Sequence, residues 1–233
     1  MPPTLILVRH AQALHNVDRD YSIADPELSA LGREQCLELK ANLVPKVLSQ
    51  EDLPEVGLIL VSAMRRTIET ALLAFPELIE KGIPIVAHAG WQENSAQPCD
   101  IGSSISALKA EFPQVDFSSV DPVYPDKTSP AGAKYAYNKK AIMARGRSVL
   151  AELKERPEKA IIVVSHSGFL RVGVTGRWYF NADYRVFDFA SEDKDDLSLK
   201  EREWTEKGGL GWSFEERVEL GYGLPEEDKV VPS

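Results

Sequence analysis

Two histidines, three arginines and a carboxylate stand where short apolar runs of the sequence end. Leu5-Ile6-Leu7-Val8 stops at Arg9-His10, and Ala160-Ile161-Ile162-Val163-Val164 stops at Ser165-His166-Ser167-Gly168. Between them, Gly57-Leu58-Ile59-Leu60-Val61 runs into Ser62-Ala63-Met64-Arg65-Arg66, and the stretch 83–88 leads to Gly90-Trp91-Gln92-Glu93. Arginine grips phosphate oxygens with a planar fork, and a neutral imidazole can attack phosphorus. Small residues such as Ser167 and Gly168 let backbone N–H groups approach a ligand where a helix begins. Each of these features has a plainer reading as a solvated or packed residue; their recurrence at successive run ends favours a shared anion site.

The elements that must position them follow from the pattern. Short, β-branched apolar runs of this kind read as buried strands, and ligands of open α/β sheets bind outside the strands' carboxyl ends. The run at 83–88 contains Pro84 and suits a sheet edge. Ser29 reads as the N-cap of a helix whose inner face carries Leu31, Gln35, Leu39 and Leu43, with Pro45 ending or kinking it. Residues 139–156 read as an amphipathic helix with Ile142, Val149, Leu150 and Leu153 inward, and 184–190 as a last strand. The expected fold is a three-layer α/β/α sandwich around a mostly parallel sheet, formed by one domain over residues 1–233.

Two segments stand apart. Residues 97–134, interrupted by five prolines, read as an insertion or lid over the site, or else as a surface excursion. Their aromatics Phe112, Phe117 and Tyr124, with Tyr135 and Tyr137 beyond, pack on a substrate group or on the body. Lys109, Lys127 and Lys134 read as solvated in preference to reaching a second anionic group of the substrate. Residues 191–233 form a charged C-terminal extension, its first part a solvated face or mobile segment, with Trp204 and Trp212 docking it on the body.

Composition narrows the partners. A chain of 233 residues with net charge −9 and 43% hydrophobic content suits a globular α/β protein and argues against nucleic acid or an anionic membrane as a general partner. Cys36 and Cys99 are too few for a disulfide framework and lack metal-site spacing. With no basic, apolar leader and no run of membrane-spanning length, a reducing cytoplasmic setting is expected. Oligomeric state is not legible.

Arg9-His10-Ala11 with Asn16 resembles the Arg-His-Gly signature of the histidine phosphatase superfamily, the phosphoglycerate mutase-like proteins. Ser62-Ala63-Met64-Arg65-Arg66-Thr67-Ile68-Glu69-Thr70-Ala71 is similar to its second segment, Ser-Pro-Leu-x-Arg-Ala-x-x-Thr-Ala, which puts the phosphate-binding arginine on Arg66. Ser165-His166-Ser167-Gly168 resembles the second histidine motif, and Glu93 falls where many members place their acid. The stretch from Trp91 to Asp100 looks like the small phosphatase-type members of fungi and plants. Ala11 and Ser167 replace the usual glycines, small for small. The resemblance spans residues 4–190.

The resemblance implies a phosphatase acting on small phosphorylated substrates, without metal or other cofactor. His10 attacks phosphorus. Arg9, Arg66 and His166, with Asn16 and Ser167, hold the phosphoryl group, and Glu93 protonates the leaving oxygen, with Asp100 the next candidate for that acid. The chain lacks the Trp-Asn and Thr-Gly-Trp segments expected of cofactor-dependent mutases, which favours hydrolysis. The rival readings are a mutase-type phosphotransferase, a diverted metabolic enzyme and a non-catalytic phosphate-binding module.

Overall fold

The structure, a computed structural model, describes residues 1–226. In chain order its elements are β1 (Thr4–Arg9), α1 (Leu14–Val17), α2 (Ala30–Ser49), β2 (Val56–Ser62), α3 (Arg65–Ala74), α4 (Pro76–Glu80), β3 (Ile85–His88), α5 (Ile105–Glu111), α6 (Lys139–Lys154), β4 (Ala160–Ser165), α7 (Ser167–Phe169), β5 (Tyr184–Phe189) and β6 (Leu199–Glu201). The strands form one sheet in the order β3-β2-β4-β1-β5-β6. The first four of that order run parallel, β5 lies antiparallel to β1, and β6 antiparallel to β5.

Strand side chains alternate between faces, so each apolar run serves two cores. Ile6, Val8, Ile59, Val61, Ile162 and Val164 pack on one face with Leu39 and Leu43 of α2 and Ile68 of α3. Leu5, Leu7, Leu58, Leu60, Ile161 and Val163 pack on the other with Ile142, Val149 and Leu153 of α6. The result is the expected three-layer sandwich, with β3 at an edge as Pro84 implied.

Several local expectations change. Ser29 caps α2, accepting from the Gly32 N–H, but Leu31 is 48% exposed and Gly32 and Cys36 take the inner face. The every-four-residue reading overlooked the steeper path of the apolar stripe on a 3.6-residue helix. Pro45 does not end α2, which continues to Ser49; the proline ring lies on the exposed side of the helix.

The described part of the C-terminal extension is more than a solvated face. It supplies β6, and Glu201 on that strand is a nearly buried partner of the fully buried Arg185 and of Arg177. Asp183 accepts from the N–H groups of Leu210 and Trp212 and from the Ser213 hydroxyl, which fastens the tail to the body. Charge density there reflects internal pairing. Residues 227–233 of the extension lie outside the described residues.

Segment 97–134 is also bound to the body. The Ala87 N–H donates to the Asp116 carbonyl and the Asp116 N–H to that of Ile85, extending β3 by a short bridge. Phe112, Phe117, Tyr124 and Tyr135 are buried in the core beside β3, whereas Tyr137 remains 42% exposed. Among the described residues no helix is long and apolar enough to cross a membrane.

Candidate active site

Parallel register assembles the histidines. Arg9 pairs with Ser165 across β1 and β4, and the His10 N–H donates to the Ser165 carbonyl at 2.9 Å. The next residues of both strands therefore turn out together, with the His10 and His166 ring centres 5.2 Å apart and the rings inclined at 61°. Arg66 arrives from the first turn of α3, which starts directly behind β2. Arg9, His10, Asn16, Arg66, Glu93 and Ser167 line one cavity of about 280 Å³, together with His15, Tyr21, Asn94, Asp100 and Tyr137. A larger cavity of about 820 Å³ lies between α6 and segment 119–135; it reaches His88 at the end of β3, but none of Arg9, His10, Arg66, Glu93 and His166 lines it.

The His10 tautomer follows from its partners. Nδ1 lies 2.7 Å from the Ala11 carbonyl, an acceptor only, so Nδ1 carries the proton and Nε2 keeps its lone pair. Arg66 Nε donates to that Nε2 at 3.2 Å. Burial, then Arg66 and Arg9, hold the His10 pKa well below its ordinary value. Its imidazole is a neutral base at physiological pH.

Arg66 is 1% exposed. Its Nη1 donates to the Cys99 carbonyl at 2.6 Å, and Nη2 to Asp100 Oδ1 at 3.2 Å. Neighbouring Arg65 instead forms a partly exposed pair with Glu111. Arg9 donates through Nη1 to the Tyr179 carbonyl at 2.8 Å; burial lowers its pKa to about 10, which leaves it charged. His166 Nε2 lies 2.9 Å from Ser62 Oγ, and burial and Arg66 hold its pKa well below the usual range. Arg9 Nε, His15 Nδ1 and His166 Nδ1 are buried without a hydrogen-bond partner. Buried donors are nearly always satisfied, and three orphaned nitrogens around His10 make a cradle for an anion.

Glu93 faces this cationic floor from the loop after β3. Its Oε1 accepts from the N–H groups of Phe169 (2.8 Å) and Asn94 (2.9 Å), and Oε2 from that of Gly168 (3.0 Å). A Cβ on residue 168 would stand 2.5 Å from Oε1, so only glycine lets the carboxylate approach that backbone. Burial and the Asp100 charge push the Glu93 pKa up, against the pull of those N–H groups and of Arg66.

Two buried cations hold the loop that carries Glu93. Lys127, expected to be solvated, is 3% exposed. Its ammonium donates to the carbonyls of Glu93 (2.7 Å), Ser95 (2.9 Å) and Asp100 (2.6 Å). Three donors meeting three acceptors satisfy the charge that burial penalises; burial and Arg145 bring its pKa down to about 7. Arg145 of α6 donates to the Gln92 carbonyl (2.6 Å) and to Asn94 Oδ1 (2.8 Å), with its guanidinium 4.0 Å from the Phe169 ring centre. Sequence reasoning did not single out Arg145, and took Lys127 for surface. The one available signal was an arginine on the otherwise small or apolar side of the 139–156 helix pattern.

An open α/β sheet that brings two histidines, two arginines and a carboxylate to its carboxyl edge has the architecture of a phosphoryl-handling enzyme. The sequence matches the histidine phosphatase superfamily (branch 1) over residues 5–190. A Schizosaccharomyces pombe protein described as a probable phosphatase is 37% identical over 175 residues, covering 72% of this chain and 76% of its own. A phosphoglycerate mutase-like protein of Arabidopsis thaliana is 33% identical over 201 residues, covering 72% of each chain. Among solved structures, an Escherichia coli protein to which an alpha-ribazole-5′-P phosphatase role is ascribed superposes with a TM-score of 0.57 at 18% identity. That match covers 87% of this chain and 95% of the other, and bears on the fold. The chain belongs to the histidine phosphatase superfamily.

Proposed function

We propose that this chain is a metal-independent phosphatase that hydrolyses small phosphomonoesters through a phosphohistidine on His10. The observation that carries the reading is the His10 ring itself: neutral, its proton committed to the Ala11 carbonyl, and its Nε2 lone pair turned to the guanidinium of Arg66. Arg9 and Arg66 supply two positive charges beside it, with His166 as a neutral donor, to balance charge spread over the phosphoryl oxygens in the transition state.

In the first step the Arg66 Nε–H leaves His10 Nε2 for a phosphoryl oxygen, and the freed Nε2 gives its electron pair to phosphorus while the bond from phosphorus to the ester oxygen breaks. Protonated Glu93 delivers its proton to that oxygen, releasing an alcohol. The resulting carboxylate takes a proton from water as the water oxygen attacks phosphorus. The P–N bond breaks, and orthophosphate leaves with His10 and Glu93 restored. The raised Glu93 pKa fits a group that must be protonated in one half of the cycle. Asn16 and Ser167 complete the wall around the phosphoryl group.

Hydrolysis is favoured over transfer to a sugar acid by the cleft's charge. Among the described residues its lining cations are Arg9 and Arg66, both beside His10, while Glu93 and Asp100 line the rest with Ser95, Gln97 and the two tyrosines. A carboxylate-bearing acceptor would meet those carboxylates. An uncharged leaving group fits better.

The test is phosphate release from a panel of phosphomonoesters in the presence of EDTA, comparing the wild type with His10→Ala. Release by the wild type alone is expected. A large loss on adding EDTA contradicts metal independence, and isomerised phosphoglycerate in place of free phosphate identifies a transferase.

A further inference from the structure

We infer that His15 is a further phosphate-contacting residue, donating its Nδ1–H to the phosphoryl group, and that Asn16 acts by fixing the ring in the tautomer that makes this possible. The inference rests on the proposed reading of the cleft as a phosphoryl site.

The hydrogen-bond chain that leads to it starts at the backbone. The Ala13 N–H donates to Asn16 Oδ1 at 3.1 Å, which identifies the oxygen of that amide. Its other end, the NH₂ group, lies 2.9 Å from His15 Nε2. An amide NH₂ only donates, so Nε2 must be the acceptor. In a neutral imidazole the proton is then on Nδ1. The ring is neutral at physiological pH, because burial and the charges of Arg66 and Arg9 outweigh the pull of Asp100 and lower its pKa to about 4.

That proton has no partner. His15 is 6% exposed, and its Nδ1 is buried and unbonded. The ring lines the same cleft as Arg9, Arg66 and Glu93, with its centre 6.0 Å from that of His10. A buried N–H of fixed tautomer beside a nucleophile is poised to donate to a ligand oxygen. Being neutral, it adds a hydrogen bond to the phosphoryl group without a further cation that would depress His10 basicity. The same chain accounts for Asn16, whose oxygen is spent on Ala13 and whose NH₂ is turned to His15. The plainer alternative is a ring that packs beside Tyr21, 6.5 Å away between centres, and does nothing to the ligand.

Long-range ¹H–¹⁵N spectra of the wild-type protein test the tautomer without relying on turnover. The expected result is a protonated Nδ1 and an unprotonated Nε2 for His15, with the Nδ1 resonance moving on addition of inorganic phosphate or orthovanadate. His15→Phe, which keeps a ring and removes both nitrogens, should weaken orthovanadate binding by about 10- to 100-fold and lower kcat more than it alters KM. Asn16→Ala, which frees the tautomer, should fall between. A protonated Nε2, or a His15→Phe protein with unaltered vanadate affinity and kcat, overturns the inference. If His15→Phe does not fold, the wild-type tautomer and its response to vanadate decide. Vanadate binding that shifts Nδ1 in a protein releasing no phosphate from any ester would uphold the His15 contact and sink the hydrolase reading instead.

Discussion

The two sides of the cleft are built in different ways. The cationic floor of Arg9, His10, Arg66 and His166 sits on strand ends and the first turn of a helix, where sheet register fixes each Cα before any side chain is considered. The acidic wall of Glu93 and Asp100 sits on an irregular loop whose carbonyls are gathered by two buried cations, Lys127 and Arg145, reaching in from outside the sheet. The floor takes its geometry from the backbone ladder, the wall from charge placed where water is excluded. Disturbing the floor should therefore cost chemistry at little cost in folding, and disturbing the wall's supports should cost both.

The largest effect expected short of removing the nucleophile is on the floor. Arg66→Ala removes one of its two cations and should lower kcat/KM by about 10³-fold or more. A loss below tenfold would mean that Arg66 serves the Cys99 and Asp100 contacts and not the phosphoryl group. On the wall, Glu93→Gln should lower turnover of alkyl phosphates by about 10²- to 10⁴-fold, and that of p-nitrophenyl phosphate much less, because only the poor leaving group needs a proton. Since burial and Asp100 raise the Glu93 pKa, its acid form persists above the ordinary carboxyl value of about 4.3. Alkyl phosphate turnover should fall as pH rises through the raised value, and that limb should vanish in Glu93→Gln. Equal losses on both substrates would move the acid to Asp100.

Lys127→Met separates the two construction principles. It leaves three buried carbonyls without their donor, at a cost to stability of about 2–5 kcal/mol. It should also reproduce, at about 10- to 100-fold, the leaving-group dependence of Glu93→Gln, because the carbonyl of Glu93 itself is released. Chemical denaturation together with kinetics on both substrates checks this. Intact stability with intact selectivity would show that the loop holds itself.

Acid acts on folding as well. The pKa of His15 falls to about 4, and those of His10 and His166 lie well below the ordinary value, whereas unfolded histidines protonate near about 6.5. Below that pH the unfolded chain binds more protons, so stability is complete above it and declines as pH drops toward 4. Tm measured from pH 7 to 4 should fall, less steeply in His15→Phe. The least effect belongs to Arg65→Ala, beside Arg66 in sequence but partly exposed and paired with Glu111. Its cost should be under about 1 kcal/mol, with kcat unchanged within a factor of two.

The same division explains what was legible in the sequence. Apolar runs ending in Arg9-His10, in Ser62 ahead of Arg66 and in Ser165-His166 carried the sheet and the floor, because strand period and burial are local properties of the chain. The anchors of the wall are not. Lys127 lies among prolines in a stretch without periodicity, and nothing nearby says that three carbonyls from residues 93–100 will surround it. Arg145 is one cation among several on its helix. Glu201 stands in a charged stretch that looked solvated, yet its partner Arg185 comes from the neighbouring strand. In each case burial of a charge depends on a partner distant in sequence, which composition and spacing do not report.

The most direct test of the central claim is to quench the enzyme during turnover of a ³²P-labelled phosphomonoester and locate the label. The account predicts an acid-labile, alkali-stable phosphoryl group on the peptide containing His10, absent from His10→Ala, which should retain no more than about 10⁻⁴ of wild-type phosphate release. Label on another residue, or phosphate release surviving in His10→Ala, would contradict it.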